Sequence, residues 1–158
     1  KLASGIADTD TYLKAGVNVS IGTDGTASNN TLDMVEEMRF AALLPKGTGY
    51  NPEAVDARTA LRMTTINGAK ALGIQHLTGS LEVGKRADLI VIHADASNML
   101  PIYDVYSAIV YASNSKNIRS SMVNGKWIMR NRELMNINKT ETMESMKHIV
   151  NSQIDNRK

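Results

Sequence analysis

Hydrophobic positions along the chain change their spacing once, near residue 75. Before that point apolar residues recur mostly at helical spacing, and residues 17–21 alternate branched apolar with small polar side chains. After it, short runs of β-branched residues are separated by tight turns. The pattern predicts an α/β chain in which helices accompany one half-buried strand, followed by several short strands.

Capping residues, prolines and glycines set the expected bounds of these elements. The first two helices are predicted at 10–15 and from about 31 onward, the second ended by Pro45 and Gly47. Further helices are predicted from the start Asn51-Pro52-Glu53, at 65–72, at 103–111, and in the tail after Asn138. The tail helix carries one apolar stripe, formed by Met143, Met146, Ile149, Val150 and Ile154. Two strand pairs are predicted, 77–83 with 87–92 and 118–123 with 126–129, and Asn124-Gly125 joins the second pair as a hairpin turn.

Composition limits the class of protein. The 158 residues, 42% of them hydrophobic, suffice for one domain with a core but fall short of the ~250 residues of a complete (β/α)8 barrel. The absence of cysteine excludes disulfides and thiolate metal sites. No apolar run approaches the ~20 residues that span a bilayer. We therefore expect a cytoplasmic protein without a membrane partner and, because the chain begins at Lys1, a piece of a longer protein.

Charge is unevenly distributed along the chain. Residues 1–115 hold nine Lys or Arg against twelve Asp or Glu, a balance of −3, whereas residues 116–158 hold nine against four, a balance of +5. A basic tail raises the question of nucleic-acid binding. Trp127 is the only aromatic residue among these basic positions, and stacking on bases needs several. We expect a solvated basic face and no nucleic-acid partner.

Asp24 is the strongest candidate for chemistry. It follows the predicted strand 17–21 and opens a loop of glycine, serine and asparagine that ends at Asn30. In parallel α/β folds, sites are built at this end of a strand. Asp24 could be a metal ligand, a general base, or an Asx-turn residue that organises the loop. It shares the small polar face of the strand, which in a barrel points toward the interior.

The remaining candidates are weaker. His76, His93 and His148 form neither a His-x-His nor a His-Glu-x-x-His pattern, so they suggest surface residues rather than a metal site. The chain has no Gly-x-Ser-x-Gly elbow around Ser28. The glycine-rich loop lacks the Walker spacing for phosphate. Sequence spacing alone therefore leaves Asp24 without a second catalytic partner.

Four stretches resemble the amidohydrolase superfamily, within it the chlorohydrolase-like aminohydrolases that include 5-methylthioadenosine/S-adenosylhomocysteine deaminases. They are Lys-Leu-Ala-Ser-Gly at 1–5, Gly-Thr-Asp-Gly and its loop at 22–30 with Glu-Met-Arg at 37–39, Thr-Ile-Asn-Gly-Ala-Lys-Ala-Leu-Gly at 65–73, and Gly-Ser-Leu-Glu-Val-Gly-Lys-Arg-Ala-Asp-Leu at 79–89. The likeness covers residues 1 to about 130 and corresponds to the C-terminal third of such enzymes.

The resemblance implies a fold and a division of the chain. Residues 1–75 would form the last strand and helices of a metal-dependent hydrolase (β/α)8 barrel. Residues 76–138 would supply C-terminal strands of a small β-sandwich, and residues 139–158 a C-terminal helix. The expected fold class is thus α/β with an incomplete barrel.

The resemblance also implies site residues. Asp24 matches the aspartate that binds a divalent metal, usually zinc, and accepts a proton from the attacking water. Ser28 and Ser4 match loop positions that border the substrate pocket. The family's other metal ligands and its catalytic glutamate would precede Lys1, so we expect this chain alone to bind no metal and to be inactive.

The implied function is hydrolytic deamination of 5-methylthioadenosine, S-adenosylhomocysteine or a related amino-substituted ring by the intact enzyme. Within the superfamily, guanine, cytosine or triazine substrates remain open. The alternative from another class is a non-catalytic structural or oligomerisation module. The expected partner of the intact enzyme is a purine-nucleoside-like small molecule, and the chain itself is expected to associate with a second copy or with the missing N-terminal part.

Overall fold

The computed structural model describes residues 5–155, and within them it contains six α-helices and one antiparallel sheet. The helices are α1 Thr9–Lys14, α2 Met34–Gly49, α3 Ala57–Met63, α4 Ile66–Ala71, α5 Val105–Ser107 and α6 Lys139–Asp155. The four strands pair in the order β1 Leu89–Ile92, β2 Ile118–Val123, β3 Lys126–Arg130 and β4 Glu133–Leu134. Helix α5 continues directly as a π-helical segment, Ala108–Ala112. The predicted succession of helices followed by short strands is confirmed.

The hydrophobic core lies among helices rather than on the sheet. Helices α2 and α3, the turn before α3 and the π-helical segment supply its fully buried members: Met38, Ala42, Val55, Ala57, Ala60, Met63 and Val110. Three of these are alanines, whose small side chains let the helices approach closely. Arg39 also joins α2 to the π-helical segment and the residue after it, because its guanidinium donates to the backbone carbonyls of Val110 and Ser113. Helix α2 is therefore held by both apolar packing and hydrogen bonds.

Helix α2 differs from its predicted bounds at both ends. It begins at Met34, three residues later than expected. The reason is that the Asp33 carboxylate caps the N–H groups of Val35 and Glu36. It also continues past Pro45 to Gly49. A proline inside a helix lacks its own N–H donor and crowds the carbonyl four residues earlier, yet here the helix continues for four more residues and Pro45 is buried. The predicted end at Pro45 and Gly47 is wrong.

The predicted strand at residues 17–21 is not part of a sheet. Among the described residues it has no strand partner. A backbone hydrogen bond of 3.1 Å from the Ile21 N–H to the Met63 carbonyl joins it to α3. Side chains hold it further: Asn67 Nδ2 donates to the Val19 carbonyl, and Asn18 Nδ2 to the Asn67 carbonyl, both at 3.0 Å. An alternating pattern specifies a strand only where a neighbouring strand completes the ladder.

Residues 77–83 were predicted as a strand and form turns instead. Gly79 explains part of this, since it adopts φ +92° and an added Cβ would lie 2.7 Å from the Ala69 Cβ. The chain is thus pressed against α4 rather than extended beside β1. Strand β1 pairs with β2 and not, as predicted, with residues 77–83. The predicted hairpin of β2 and β3 is confirmed, with Asn124 and Gly125 both at positive φ.

Helices α1 and α4 lie where the sequence predicts them, whereas the helix predicted at 103–111 begins at Val105 and becomes π-helical from Ala108 to Ala112. Asp8 caps α1, and Gly16 and Gly73 follow α1 and α4 at positive φ, as expected. The helix predicted to start at Asn51-Pro52-Glu53 begins later, at Ala57, because Val55 adopts φ 45° and Asp56 provides the cap. A positive φ before the cap separates the turn from the helix.

Helix α6 forms as predicted, and Asn138 Oδ1 accepts from the Glu141 N–H at 3.3 Å. Its apolar stripe is exposed, however, at 49–60% for Met143, Met146, Ile149, Val150 and Ile154. Within residues 5–155, no helix combines the length and the hydropathy required to cross a membrane.

Candidate functional site

Asp24 opens the loop that follows residues 17–21, and its carboxylate is exposed. One carboxylate oxygen, Oδ1, accepts from the Gly25 N–H, and the other, Oδ2, accepts from the Ser28 hydroxyl, both at 2.6 Å. The residue adopts φ 58°, a left-handed conformation that aspartate tolerates better than most residues. Backbone hydrogen bonds from Ser28 and Asn29 to the Gly25 carbonyl close the turn beneath it. Asp24 and Ser28, both singled out from the sequence, therefore meet in one turn.

Both hydrogen bonds favour the ionised form of this carboxyl. The Ser28 hydroxyl and then the Gly25 N–H lower the pKa of Asp24 below its ordinary value, and partial desolvation opposes them. At neutral pH the side chain is therefore a carboxylate. That state can bind a cation or accept a proton, and each of these functions was an alternative left open by the sequence.

The downstream half of the loop is fixed to α2. Asn29 Nδ2 donates to the Glu37 carboxylate at 2.6 Å, and Asn29 Oδ1 accepts from the N–H groups of Thr31 and Leu32 at 3.1 and 3.2 Å. Thr31 also donates through its hydroxyl to Glu36, at 3.1 Å. Sequence reasoning assigned no role to Asn29 or Glu37. The usable signal was an asparagine shortly before a helix, because such residues commonly bond to neighbouring backbone groups.

A metal centre needs more ligands than this turn offers. Catalytic zinc takes three or more protein ligands, and no group of three His, Asp or Glu side chains suited to a metal occurs in the part of the chain that the structure describes. His76, His93 and His148 accordingly form no such centre there. Asp24 fits zinc as one anionic oxygen ligand, but residues 5–155 do not form a complete site. Ser4, the third predicted site residue, lies outside the described residues.

Comparison with known families settles the ancestry of the chain. A model described as the amidohydrolase family matches residues 1–128. The chain belongs to the amidohydrolase family. The resemblance found in the sequence is thereby confirmed over most of the chain, including the loop of Asp24 and Ser28.

Relatives of this amidohydrolase chain are named as deaminases. It is 45% identical over 149 residues to a 5-methylthioadenosine/S-adenosylhomocysteine deaminase of Acetivibrio thermocellus, a match that covers 94% of the chain and 35% of that protein. It is 48% identical over 144 residues to a 5'-deoxyadenosine deaminase of Methanosarcina barkeri, covering 91% and 33%. The chain thus spans about a third of the length of the curated relatives it matches.

Solved structures give the same picture of the amidohydrolase fold. An adenosine deaminase from Xanthomonas campestris with bound zinc matches with a TM-score of 0.91 and 39% identity, over 94% of this chain and 34% of that one. An atrazine chlorohydrolase from Arthrobacter aurescens complexed with zinc matches at 0.85 and 28%, over 92% and 32%. The expected α/β class is confirmed, the observed sheet is small and antiparallel, and zinc-bound relatives indicate a divalent metal for this family.

Proposed function

We propose that this chain forms part of a metal-dependent aminohydrolase, which replaces the amino group of a purine nucleoside with oxygen from water and releases ammonia. 5-Methylthioadenosine and S-adenosylhomocysteine are the proposed substrates, because relatives at 40–48% identity are named for them or for 5'-deoxyadenosine. The observation that carries the proposal is an ionised, exposed Asp24 carboxylate, held in a defined turn of an amidohydrolase chain.

The proposed role of Asp24 is to bind the divalent metal and to accept a proton from the attacking water. Zinc, when bound, supplies a Lewis acid that lowers the pKa of water toward neutrality. A carboxylate that is ionised at neutral pH is competent for both roles. Ser28 would border the substrate while its hydroxyl keeps Oδ2 of Asp24 in place. Ser4 is proposed for the same pocket on its sequence position alone.

The domain organisation is proposed on the same basis. Residues 1–75 would complete a (β/α)8 barrel, residues 76–138 would contribute to a small β-sandwich, and residues 139–158 would make up a C-terminal helix. The succession of helices α1–α4 and then strands β1–β4 supports this division. In such a barrel, residues 17–21 would gain the strand neighbours that they lack among the described residues.

Exposed apolar side chains support an association with further polypeptide. Val17 is 52% exposed and Leu43 and Leu44 are 45% and 43% exposed, on or next to elements that flank the core. We propose that these side chains are covered by the part of the enzyme that corresponds to the unmatched two thirds of the relatives, or by a second copy of the chain. Size-exclusion chromatography tests this, since a stable monodisperse monomer of the 158-residue chain would contradict it.

The main experiment uses the intact enzyme that carries this segment. Ammonia release from 5-methylthioadenosine and zinc content are measured for the wild type and Asp24→Ala, with Asp95→Asn as a control at another exposed carboxylate. Loss of the proton acceptor should lower kcat by about 10²–10⁴-fold and reduce bound zinc. Full activity of Asp24→Ala would refute the proposed role.

The 158-residue chain alone is proposed to be inactive, since a single carboxylate cannot hold a catalytic zinc ion. The test is an assay of the purified chain with added zinc and 5-methylthioadenosine, followed by guanine, cytosine and a triazine. Release of ammonia by this chain alone would contradict the proposal. In the intact enzyme, the same substrates distinguish a nucleoside deaminase from the guanine, cytosine and triazine alternatives. If the intact protein acts on none of them, a structural or oligomerisation module becomes the better explanation.

A further inference from the structure

Among residues 5–155, the hydrogen bonds of the Asp24 side chain stay within its own turn. Its two described hydrogen-bond partners, Gly25 and Ser28, belong to its own turn. Those bonds fix the carboxylate relative to the turn but leave the turn itself to be located by other contacts. The segments on either side of Asp24 must therefore determine where the carboxylate lies.

Downstream, the side-chain amide of Asn29 provides such a contact. The two halves of the Asn29 side chain face different partners: its oxygen faces the N–H groups of Thr31 and Leu32, and its NH₂ faces the Glu37 carboxylate. Backbone N–H groups only donate and a carboxylate only accepts, so this orientation of the amide is the only one that satisfies all three partners. The bond to Glu37, at 2.6 Å, joins two partly buried side chains and is charge-assisted.

Glu37 is itself on a rigid support. It precedes Met38, which is 4% exposed in the core, and Arg39, whose guanidinium bonds to the carbonyls of Val110 and Ser113. Upstream of Asp24, Asn67 Nδ2 holds the Val19 carbonyl at 3.0 Å. Amide side chains thus anchor the chain five residues before and five residues after Asp24.

We propose that Glu37 is a positioning residue for Asp24, acting through its hydrogen bond to Asn29, with Asn67 as the matching anchor upstream. This inference rests on the proposed function, because it assumes that the location of the Asp24 carboxylate matters to the reaction. In this proposal Glu37 acts through Asn29 and not by contact with substrate or metal. It sets the place from which Asp24 and Ser28 act.

The test compares Glu37→Ala with Glu37→Gln in the intact enzyme that carries this segment. Glutamine keeps an oxygen that can accept from Asn29, whereas alanine keeps none. Glu37→Ala should lower kcat by about 10–100-fold, as expected for a misplaced reacting group, with a much smaller change in KM. Glu37→Gln should stay close to the wild type. Exposed Glu53 offers a control, and Glu53→Ala should match the wild type.

Hydrogen exchange of the amides at residues 24–32 supplies a readout besides activity. Glu37→Ala should accelerate this exchange, and Glu37→Gln should restore its protection. Asn29→Ala breaks the same bond from the loop side without altering α2. If Glu37→Ala fails to fold, Asn29→Ala therefore tests whether this bond positions Asp24. Asn67→Asp tests the upstream anchor by removing its donor, and faster exchange around Val19 is expected.

The outcomes separate this inference from the proposed function. Wild-type exchange and wild-type kcat in both Glu37→Ala and Asn29→Ala would overturn it. So would equal losses in Glu37→Ala and Glu37→Gln, because the charge rather than the hydrogen bond would then be responsible. An intact wild type without deaminase activity refutes the proposed function, and exchange at residues 24–32 still decides whether Glu37 positions the loop.

Discussion

The helical region and the sheet region of this chain are stabilised in different ways. Helices α2 and α3 with the π-helical segment contribute most of the core, where Ala42, Ala60 and Val110 are 0% exposed. In strands β1–β4, by contrast, Ser120 is the only buried residue among those described. Side-chain burial therefore stabilises the helical region, whereas backbone ladders and turn conformations define the sheet.

This difference also concerns the candidate site. The Asp24 loop bonds to α2, and the segment just before it bonds to the end of α3, so the loop is attached to the region that has a core. The sheet lies further along the chain, and the turns that precede it pack on α4 at Gly79. Changes in side-chain volume should therefore disturb the helical region most, and changes in backbone conformation should disturb the junction and the sheet.

The largest effect is expected for Met63→Ala. Met63 is 2% exposed and lies at the end of α3, where its backbone carbonyl also accepts from Ile21. Truncation should lower the free energy of unfolding by about 2–5 kcal/mol through lost burial and a cavity. Ile128→Ala on β3, where the side chain is 43% exposed, should cost less than about 1 kcal/mol. Urea denaturation measures both, and equal losses would contradict the comparison.

Local chemistry made part of this structure predictable. Asn124-Gly125 predicts a hairpin because both positions must adopt positive φ, and they do, at 49° and 77°. Asp8 and Asn138 indicate helix starts because their side chains accept from N–H groups within the first turn. In each case the residues that specify the feature are neighbours in sequence.

Features that depend on distant residues could not be predicted in this way. Whether residues 17–21 form a strand depends on neighbours that the described chain does not provide. Helix α2 continues to Gly49 through a buried Pro45, although proline and glycine are local signals for a helix end. Asp24 and Ser28 were found because they share one turn, whereas Glu37 was missed because its role depends on the geometry that brings Asn29 to α2.

Gly79→Ala should have the next largest effect, at the junction of the two regions. A Cβ there would lie 2.7 Å from the Ala69 Cβ and 3.0 Å from the Ile66 Cα, and φ is +92°. Overpacking costs about 1–3 kcal/mol, and the left-handed backbone adds about 1–2 kcal/mol. Gly68→Ala is the control, since it has open space and a helical backbone and should stabilise α4 by about 0.5–1 kcal/mol. A neutral Gly79→Ala would show that the junction is not tightly packed.

Gly125→Ala tests the sheet alone. The second residue of this turn adopts φ +77°, and an added Cβ would meet nothing within 4 Å, so only the backbone conformation is penalised. The expected loss is about 1–2 kcal/mol in the free energy of unfolding. Gly47→Ala within α2 also has open space and no positive φ, so it should not destabilise. If both substitutions had the same effect, turn conformation would not explain the stability of the β2–β3 hairpin.

The smallest effect, and the one that depends on pH, is expected at Asp88, just before β1. The Asn124 N–H donates to its carboxylate at 2.5 Å and the Thr78 hydroxyl at 2.8 Å, and both lower the pKa of Asp88 below its ordinary value of 3.8. A folded-state pKa below the unfolded-state pKa means that the stabilisation is complete above the unfolded value and is lost as the pH falls through the folded value. Asp88→Asn should therefore destabilise the chain near neutral pH and lose that difference in acid. Urea denaturation with Asp95→Asn as the exposed control measures it, and a penalty that persisted in strong acid would assign the effect to packing rather than to charge.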